Sequence, residues 1–412
     1  MLSSTPSKNR IILRILLPFA AGYFLSYLFR TINAVLSPDL VAELGLAADD
    51  LGLLTAAYFI TFAAAQLPLG LLLDRYGPRQ VEAGLLCIAA LGALLFARGE
   101  SRLELIIGRG LIGLGVSACL MAAFKAFTLW FAPARLPLVN GLIMAAGGLG
   151  ALVATAPVQA ALSLTDWRGV FLFLAGCTLL IAFTLYRVVP DAPVQPANEG
   201  LAAQFGGIRK VFTDPFFRKV APLAMLSQAS FISVQSLWSG PWLRDVAGLD
   251  RGATADTLLL VASAMMSGFL SIGFLAERLA RIGIPTVRVA TGGMAIFMLV
   301  QSLIVYGPTD EWVTLVWMLF GFFGTSGIVQ YASLSQHFPR QLAGRVNTSI
   351  NLMVFLSAFS LQWLSGVFIE FWPRSDALLP APQGYQAAFG VLLSLQLSAL
   401  IWFLIPTRGV ER

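Results

Sequence analysis

The sequence predicts an all-α membrane protein with twelve transmembrane helices, arranged as two six-helix pseudo-repeats. Three observations support this fold class: the composition, the length of the apolar stretches, and two landmarks that each occur twice. The chain has 412 residues, of which 58% are hydrophobic and 12% are charged, and its mean hydropathy is +0.80. Soluble domains carry about 25% charged residues, so most of the surface of this chain must face lipid.

Twelve apolar stretches are long enough to cross a bilayer as helices, which takes about 20 residues. They lie at 13–37, 51–73, 81–97, 104–131, 137–162, 168–189, 218–243, 255–276, 286–306, 311–336, 345–370 and 385–405. They do not alternate in polarity, as strands of about 10 residues in a transmembrane barrel would. Between the sixth and seventh stretches the chain is rich in proline and charge. This change predicts two six-helix bundles, 1–190 and 218–412, and a cytoplasmic linker at 191–217 with a short amphipathic segment near 200–212.

The distribution of charge predicts the orientation. Lys and Arg are about three times as frequent in the tails and loops of one side as on the other, which by the positive-inside rule places both termini in the cytoplasm. The net charge of +6 is accounted for in this way, without nucleic acid as a partner. Cys87, Cys119 and Cys177 lie in apolar stretches without paired spacing, so we expect neither a disulfide nor a metal site.

Two landmarks recur in the same order. Gly-x3-Asp-Arg at 70–75 returns as Gly-x3-Glu-Arg at 273–278, and Phe-x7-Val-Asn at 131–140 returns at 338–347. The two separations are nearly equal, which indicates a parallel repeat of six helices. Transporters built from such repeats bind substrate near the membrane midplane, between the halves. Enzyme motifs such as His-Glu-x-x-His or a Walker loop do not occur in the sequence.

The repeated segment carries a resemblance to a known family. Residues 70–79, Gly-Leu-Leu-Leu-Asp-Arg-Tyr-Gly-Pro-Arg, resemble the loop 2–3 signature of the major facilitator superfamily, Gly-x3-Asp-Arg-x-Gly-x-Arg, at every signature position. Residues 273–278 stand where the family has its second copy, and Arg109 with Gly113 and Gly115 is similar to the family's helix 4 motif. The resemblance covers the whole chain. It implies a monomeric secondary transporter without a cofactor, located in the bacterial inner membrane and working by alternating access.

The resemblance also implies a gate. In the family, the carboxylate of the signature meets the start of the eleventh helix, which here begins near Gly344. A carboxylate at a helix N-terminus gains about 0.3–1 kcal/mol, and more when it is partly buried. Because the contact exists only when the cytoplasmic gate is closed, it favours the outward-open state. The predicted gating residues are Gly70, Asp74, Arg75, Gly77, Arg79, Arg109, Glu277 and Arg278.

Charged residues inside spanning helices are functional candidates, because each costs at least about 2.5–3.5 kcal/mol on insertion scales. Arg30 shares a helix face with Tyr23 and Tyr27, and an arginine fork suits a carboxylate or a similar anion. For Lys125 two interpretations stay open: its amine reaches the cytoplasmic interface, or it lines the inward-open cavity. The predicted substrate-binding residues are Tyr27, Arg30, Asn33, Lys125, Gln235, Trp238, Gln330 and Tyr331.

The substrate class is indicated by a second resemblance. Residues 27–33 resemble the helix 1 signature of the organic-anion (sugar-acid) branch, but Phe29 and Val116 stand where that branch has acidic residues. No acid lies in the middle of a predicted helix, and Glu82 falls at the inner end of the third. Symport with a proton, exchange for a counter-anion and uniport therefore stay open. The stretch 131–150 faintly resembles nitrate porters, whose mid-helix arginines this chain lacks. We expect uptake of a small organic anion; the alternative is an efflux antiporter for an amphipathic small molecule.

Overall fold

The computed structural model describes residues 12–44, 48–191, 201–307, 310–372 and 382–406. All regular structure in these ranges is helical, which confirms the predicted fold class. The first nine α-helices are α1 (Leu17–Thr31), α2 (Asn33–Leu44), α3 (Ala48–Tyr76), α4 (Pro78–Arg98), α5 (Arg102–Val116), α6 (Cys119–Trp130), α7 (Leu136–Val153), α8 (Ala156–Ala161) and α9 (Trp167–Val188). The next nine are α10 (Leu201–Thr213), α11 (Pro215–Ser233), α12 (Ser239–Asp245), α13 (Arg251–Arg281), α14 (Thr286–Tyr306), α15 (Val313–Gly324), α16 (Val329–His337), α17 (Ala343–Glu370) and α18 (Pro382–Leu404).

Each of the twelve predicted stretches corresponds to one helix or to two consecutive helices. Ten helical segments of the described chain are long and apolar enough to cross a membrane, and the bent pair Leu53–Gln66 and Pro68–Tyr76 meets the same criteria when its two parts are taken together. The first predicted stretch is divided at Ile32 into α1 and α2, which have 15 and 12 residues. Neither piece alone reaches the length that a bilayer requires.

Several helices begin at side-chain caps. Ser101 and Glu104 form a capping box at the start of α5. Asp166, Asp214 and Asp250 each accept a hydrogen bond from the backbone N–H three residues on, at the starts of α9, α11 and α13. Such caps contribute about 1 kcal/mol each. These polar residues mark the points at which the apolar helices begin.

The turn between α3 and α4 depends on one glycine. Gly77 has φ of 80°, a left-handed conformation that glycine adopts without steric cost. Pro78 follows at the first position of α4, where its missing N–H and fixed φ suit a helix start. The pair reverses the chain within the predicted signature segment.

The chain divides into two compact units. The first comprises Met1–Ala132, Leu142–Gly207 and Phe338–Ser349; the second comprises Pro133–Gly141, Ile208–His337 and Ile350–Arg412. Within the first unit, α4 packs against α5 and α9, and α3 packs against α5. Within the second, α14 packs against α15 and α18 around an aromatic core that includes Trp242, Trp317, Phe297 and Phe320.

The predicted domain boundaries at 1–190, 191–217 and 218–412 stay a prediction. Of the predicted linker, residues 192–200 lie outside the described residues. The part that is described contains α10, which lies where the sequence suggested a short amphipathic segment.

Candidate functional site

Asp74, near the end of α3, is the centre of a buried polar cluster in the first unit. Its Oδ1 accepts hydrogen bonds from Lys125 Nζ at 2.7 Å and from the Gly344 backbone N–H at 2.9 Å. Its Oδ2 accepts from the Arg345 backbone N–H at 3.2 Å and pairs with Arg345 Nε at 3.2 Å. We call Asp74, Lys125, Arg340, Gly344 and Arg345 the latch. Two of these contacts come from the first turn of α17, where exposed N–H groups and the helix dipole favour an anion.

Lys125 reaches the latch from α6. Besides Asp74, its amine donates to the Arg340 backbone carbonyl, and the lysine is 2% exposed. A buried ammonium is costly unless it is paired and hydrogen-bonded, and Lys125 meets both conditions. The structure therefore groups Lys125 with the predicted gating residues, and neither interpretation made from the sequence included this ion pair.

Two glycines allow α3 and α17 to approach closely. A Cβ on Gly70 would overlap the Thr348 hydroxyl and would lie 3.1 Å from Arg345 Cα. A Cβ on Gly344 would lie 2.6 Å from Asp74 Oδ1 and 3.0 Å from the Gly70 carbonyl oxygen. Gly70 is thus required less by the turn that comes after it than by the first turn of α17, which rests against it.

The helix α10 also contacts the latch. A Cβ on Gly207 would overlap the guanidinium of Arg345, so this guanidinium lies directly against the α10 backbone. A Cβ on the neighbouring Gly206 would have no atom within 4 Å. Arg345, which is 5% exposed, is therefore held between the Asp74 carboxylate and α10.

The second copy of the signature has a related arrangement inside the second unit. Glu277, 4% exposed, pairs with Arg281 and with Arg135, whose Nε lies 3.6 Å from Oε1. A Cβ on Gly273 would lie 2.8 Å from the Pro137 carbonyl oxygen, in the first turn of α7. In both copies the signature glycine packs against the start of the helix that contains the Val-Asn of a Phe-x7-Val-Asn landmark, α17 in the first copy and α7 in the second. The signature acid is buried near the same glycine.

The remaining predicted gating residues have separate contacts. Arg79 donates to the Val189 carbonyl at 3.2 Å and pairs with Asp191 at 2.7 Å, while the guanidinium of Arg75 lies 5.3 Å from the Tyr76 ring. These residues border a pocket of about 260 Å³ beside the turn. Arg278 is exposed.

Arg30 lies among aromatic rings near the end of α1. Its guanidinium carbon is 4.6 Å from the centroid of Tyr27, 5.3 Å from Phe62 and 6.0 Å from Phe59. Tyr58 is within hydrogen-bonding reach. Cation–π contacts stabilise the arginine in its charged form, and the structure brings the predicted Tyr27 and Arg30 together.

Arg109 has a different environment. Its Nη1 donates to the Phe29 carbonyl oxygen at 2.9 Å, and its guanidinium lies 4.9 Å from the Tyr58 ring. The arginine is 1% exposed. It therefore joins α5 to α1 and α3 as a structural contact inside the first unit.

The other predicted substrate residues are spread over several helices. Asn33 begins α2 and is half-buried. In the second unit, Gln235 lies in a π-helical turn, and Trp238 donates to the Gln362 carbonyl at 3.1 Å. Gln330 is fully buried. The neighbouring tyrosine donates to an asparagine of α17 (Tyr331 to Asn351, 3.3 Å).

Sequence reasoning missed the burial of Glu82. The residue is the fifth of α4 and is 0% exposed. It was expected at the inner end of the third span, which is correct as a position along the helix. Its burial depends on the neighbouring helices, which hydropathy along one segment does not reveal. In the described part of the chain, no group of three or more His, Cys, Asp or Glu side chains is arranged to hold a metal ion.

Comparison with known proteins identifies the family. The sequence model of the Major Facilitator Superfamily matches residues 19–362. The chain belongs to this superfamily. As a major facilitator it is a multi-pass integral membrane transporter, and not an enzyme, in keeping with relatives that are themselves named as transporters.

Two curated transporters are similar to this major facilitator. A probable sulfoacetate transporter, SauU of Cupriavidus necator, is 27% identical over 301 residues, 69% of this chain and 69% of the relative. A probable L-galactonate transporter of Escherichia coli is 28% identical over 176 residues, 42% of this chain and 38% of the relative. Among solved structures, the E. coli fucose:proton symporter FucP superposes with a TM-score of 0.77 at 14% identity, covering 98% of this chain and 100% of FucP. At that identity the likeness shows the fold alone.

Proposed function

We propose that this major facilitator imports a small organic anion, and that Arg30 binds the anionic group. The observation that carries the proposal is the position of Arg30 among the rings of Tyr27, Phe59 and Phe62. These rings hold the guanidinium in place, and the cation–π contacts keep it in its charged form. An arginine fork donates two parallel hydrogen bonds to a carboxylate or sulfonate, which adds geometric specificity to the charge.

The relatives support the same substrate class. Sulfoacetate and L-galactonate, the compounds in the names of the two curated relatives, are both small organic anions. We propose that Tyr27, which contacts Arg30, and Asn33, three residues after this arginine in the chain, also contact the anion. Gln235, Trp238, Gln330 and Tyr331 stay predicted substrate contacts. Because both relatives are bacterial, we propose the bacterial inner membrane as the location. The distribution of Lys and Arg places both termini in the cytoplasm in this proposal.

We further propose that the latch acts as the cytoplasmic gate. Its support is the density of bonds on one buried carboxylate: Asp74 binds Lys125, the backbone of Gly344 and both the backbone and side chain of Arg345. An alternating-access cycle requires a contact of this kind to form in one state and break in another. In this proposal Lys125 belongs to the gate and has no direct role in substrate binding.

Thermal stability of purified protein with added ligands tests the anion proposal. Sulfoacetate and L-galactonate are compared with the neutral sugar galactose and with an amphipathic cation. We expect one or both anions to raise the melting temperature of the wild type, and Arg30→Gln to abolish the rise. The control is Arg98→Gln, which removes an exposed arginine at the end of α4.

Three results would contradict the proposal. One is stabilisation by the neutral or cationic compound alone, and the cation result would favour the efflux alternative. Another is a full anion response in Arg30→Gln. The third is equal loss of response in both arginine variants, which would indicate a nonspecific charge effect.

A further inference from the structure

Three acidic side chains are buried in the described part of the chain: Asp74, Glu82 and Glu277. Asp74 pairs with Lys125 and Arg345. Glu277 also has cationic partners, Arg135 and Arg281. Glu82 differs from both, because no ion pair reaches it from any described residue and neither of its oxygens accepts a hydrogen bond of good geometry.

Small residues of two other helices, α1 and α6, lie against Glu82. A Cβ on Gly22 of α1 would overlap Glu82 Oε1, and the Cys119 sulfur would lie 3.9 Å from that Cβ. Cys119, at the start of α6, is 0% exposed. Among the described residues, its thiol is the titratable group within reach of Glu82, and the positive charge of Arg30 on α1 acts on Cys119.

The Cys119 thiol is a weak hydrogen-bond donor and carries no positive charge. An ionised carboxylate with no cation and only a weak donor within reach is strongly unfavourable at a buried position, and the group binds a proton instead. Proteins tolerate intramembrane ionisable residues chiefly where they have a function. The glycine at position 22 is consistent with a specific place for the carboxyl group, since α1 leaves room there for an oxygen but not for a methyl group.

Glu82 borders the helix that carries the proposed anion site. Gly22 and Arg30 are eight residues apart on α1, about 12 Å at 1.5 Å per residue. A carboxyl that gains or loses a proton against Gly22 is thus in contact with the same rigid helix as the anion bound at Arg30. Two ligands that favour different positions of one helix are thermodynamically coupled.

We propose that Glu82 is the proton-binding site of this transporter and couples anion uptake to proton entry. This rests on the proposed anion transport. The step is a simple protonation: the Glu82 carboxylate takes one proton from the outer solution, becomes a neutral carboxylic acid, and returns the proton to the cytoplasmic solution. One proton and one monoanion then cross together without net charge.

Infrared spectroscopy of protein in liposomes tests the protonation without any substrate. At neutral pH the wild type should show the C=O stretching band of a protonated carboxylic acid, and Glu82→Gln should lack it. Glu277→Gln is the matched control, because it removes a buried glutamate that has arginine partners, and it should keep the band. Gly22→Ala, which crowds the carboxyl, should shift the band. An unchanged band in Glu82→Gln, or no band in the wild type, would overturn the inference.

Transport in proteoliposomes tests the coupling, with L-galactonate (a monoanion) and sulfoacetate (a dianion at neutral pH) as probes and with the membrane potential held at zero. An inward gradient of one pH unit then drives about tenfold accumulation of either probe by one-to-one symport. We expect the wild type to accumulate a probe under this gradient. Glu82→Gln should lose the accumulation and keep exchange of labelled for unlabelled probe, whereas Glu100→Gln, which removes an exposed acid between α4 and α5, should still respond to the gradient.

The two proposals fail in different ways. If Glu82→Gln still accumulates a probe under the pH gradient, the coupling inference is wrong and the anion function stands. If the wild type moves neither probe in any mode, the anion function is wrong for these compounds. The infrared result then decides separately whether Glu82 holds a proton.

Discussion

Lys125 on α6 donates a hydrogen bond of 2.7 Å to Asp74 on α3, and both side chains are 2% exposed. For Lys125 the sequence left two interpretations open. In the structure this lysine is paired with the carboxylate of the superfamily signature. Around it, the first turn of α17 supplies two backbone N–H groups to the same carboxylate. The carboxylate thus has partners from two helices, and the loss of either partner tests the gate proposal.

Removing one partner of this pair should destabilise the protein, because it leaves a buried charge without full compensation. Loss of one partner of a buried pair costs about 3–5 kcal/mol. We expect Asp74→Asn to lower the free energy of unfolding by about that amount, since Lys125 then keeps no anion. Lys125→Met should cost less, because Arg345 still pairs with Asp74. Denaturant unfolding of the two single variants and the double variant measures the coupling.

The matched control for that experiment is Lys210→Met, which removes an exposed lysine of α10. It should change stability by less than about 0.5 kcal/mol. Full additivity of the two latch substitutions would show that the pair does not interact energetically.

The gate proposal makes a separate prediction about accessibility. Thr348 is 1% exposed and faces Gly70. In a background without Cys87, Cys119 and Cys177, a cysteine introduced at position 348 should react slowly with a membrane-impermeant maleimide applied to the cytoplasmic side. Asp74→Asn should increase that rate by about tenfold if it removes 1.4 kcal/mol of bias. An equal rate in both proteins would argue against a gate at this position.

Glycine substitutions test the close approach of α3 and α17. Gly70→Ala places a methyl group onto the Thr348 hydroxyl and the Arg345 backbone, and forced overpacking costs about 1–3 kcal/mol. Gly84→Ala is the control, because nothing lies within 4 Å of its Cβ position on α4. There the better helix propensity of alanine should leave stability unchanged or raise it by about 0.5–1 kcal/mol. Thermal unfolding distinguishes the two, and equal effects would contradict the packing described.

Adjacent glycines of α10 offer a test of its contact with the latch. Gly207→Ala should displace the Arg345 guanidinium from Asp74, whereas Gly206→Ala meets no atom within 4 Å. We expect only the first to lower stability, by about 1 kcal/mol, because a flexible side chain moves and its ion pair with Asp74 is weakened. The loss should disappear in an Arg345→Ala background. If it persists there, the effect comes from α10 itself.

Arg109 and Arg30 should respond differently to removal of the charge. Arg109→Gln breaks the bond to the Phe29 carbonyl, and we expect a loss of about 1.5–3 kcal/mol in unfolding free energy. Arg30→Gln loses cation–π contacts of about 0.5–2 kcal/mol and should chiefly lose the response to anions. If anion-dependent stabilisation were lost in folded Arg109→Gln and kept in Arg30→Gln, the assigned roles would be reversed.

The fold class, the succession of spanning helices and the signature segment at 70–79 could all be predicted from the amino-acid sequence. These features depend on composition, on the length of apolar stretches and on short motifs, all of which are local properties of the chain. The presence of Arg30, Arg109 and Lys125 inside helices was equally visible, and so was the shared helix face of Tyr27 and Arg30.

The contacts of each charge, in contrast, depend on the tertiary structure. Lys125 and Asp74 are 51 residues apart, and Glu82 is buried by Gly22 and Cys119, which belong to two other helices. Such contacts depend on how the helices rotate and how closely they approach, and these are set by small residues and packing across the bundle. The sequence therefore specified that the cations Arg30, Arg109 and Lys125 lie inside spanning helices, but not the burial of Glu82. The packing of the helices determined that, within the described chain, Asp74 and Glu277 have cationic partners and Glu82 has no ion pair.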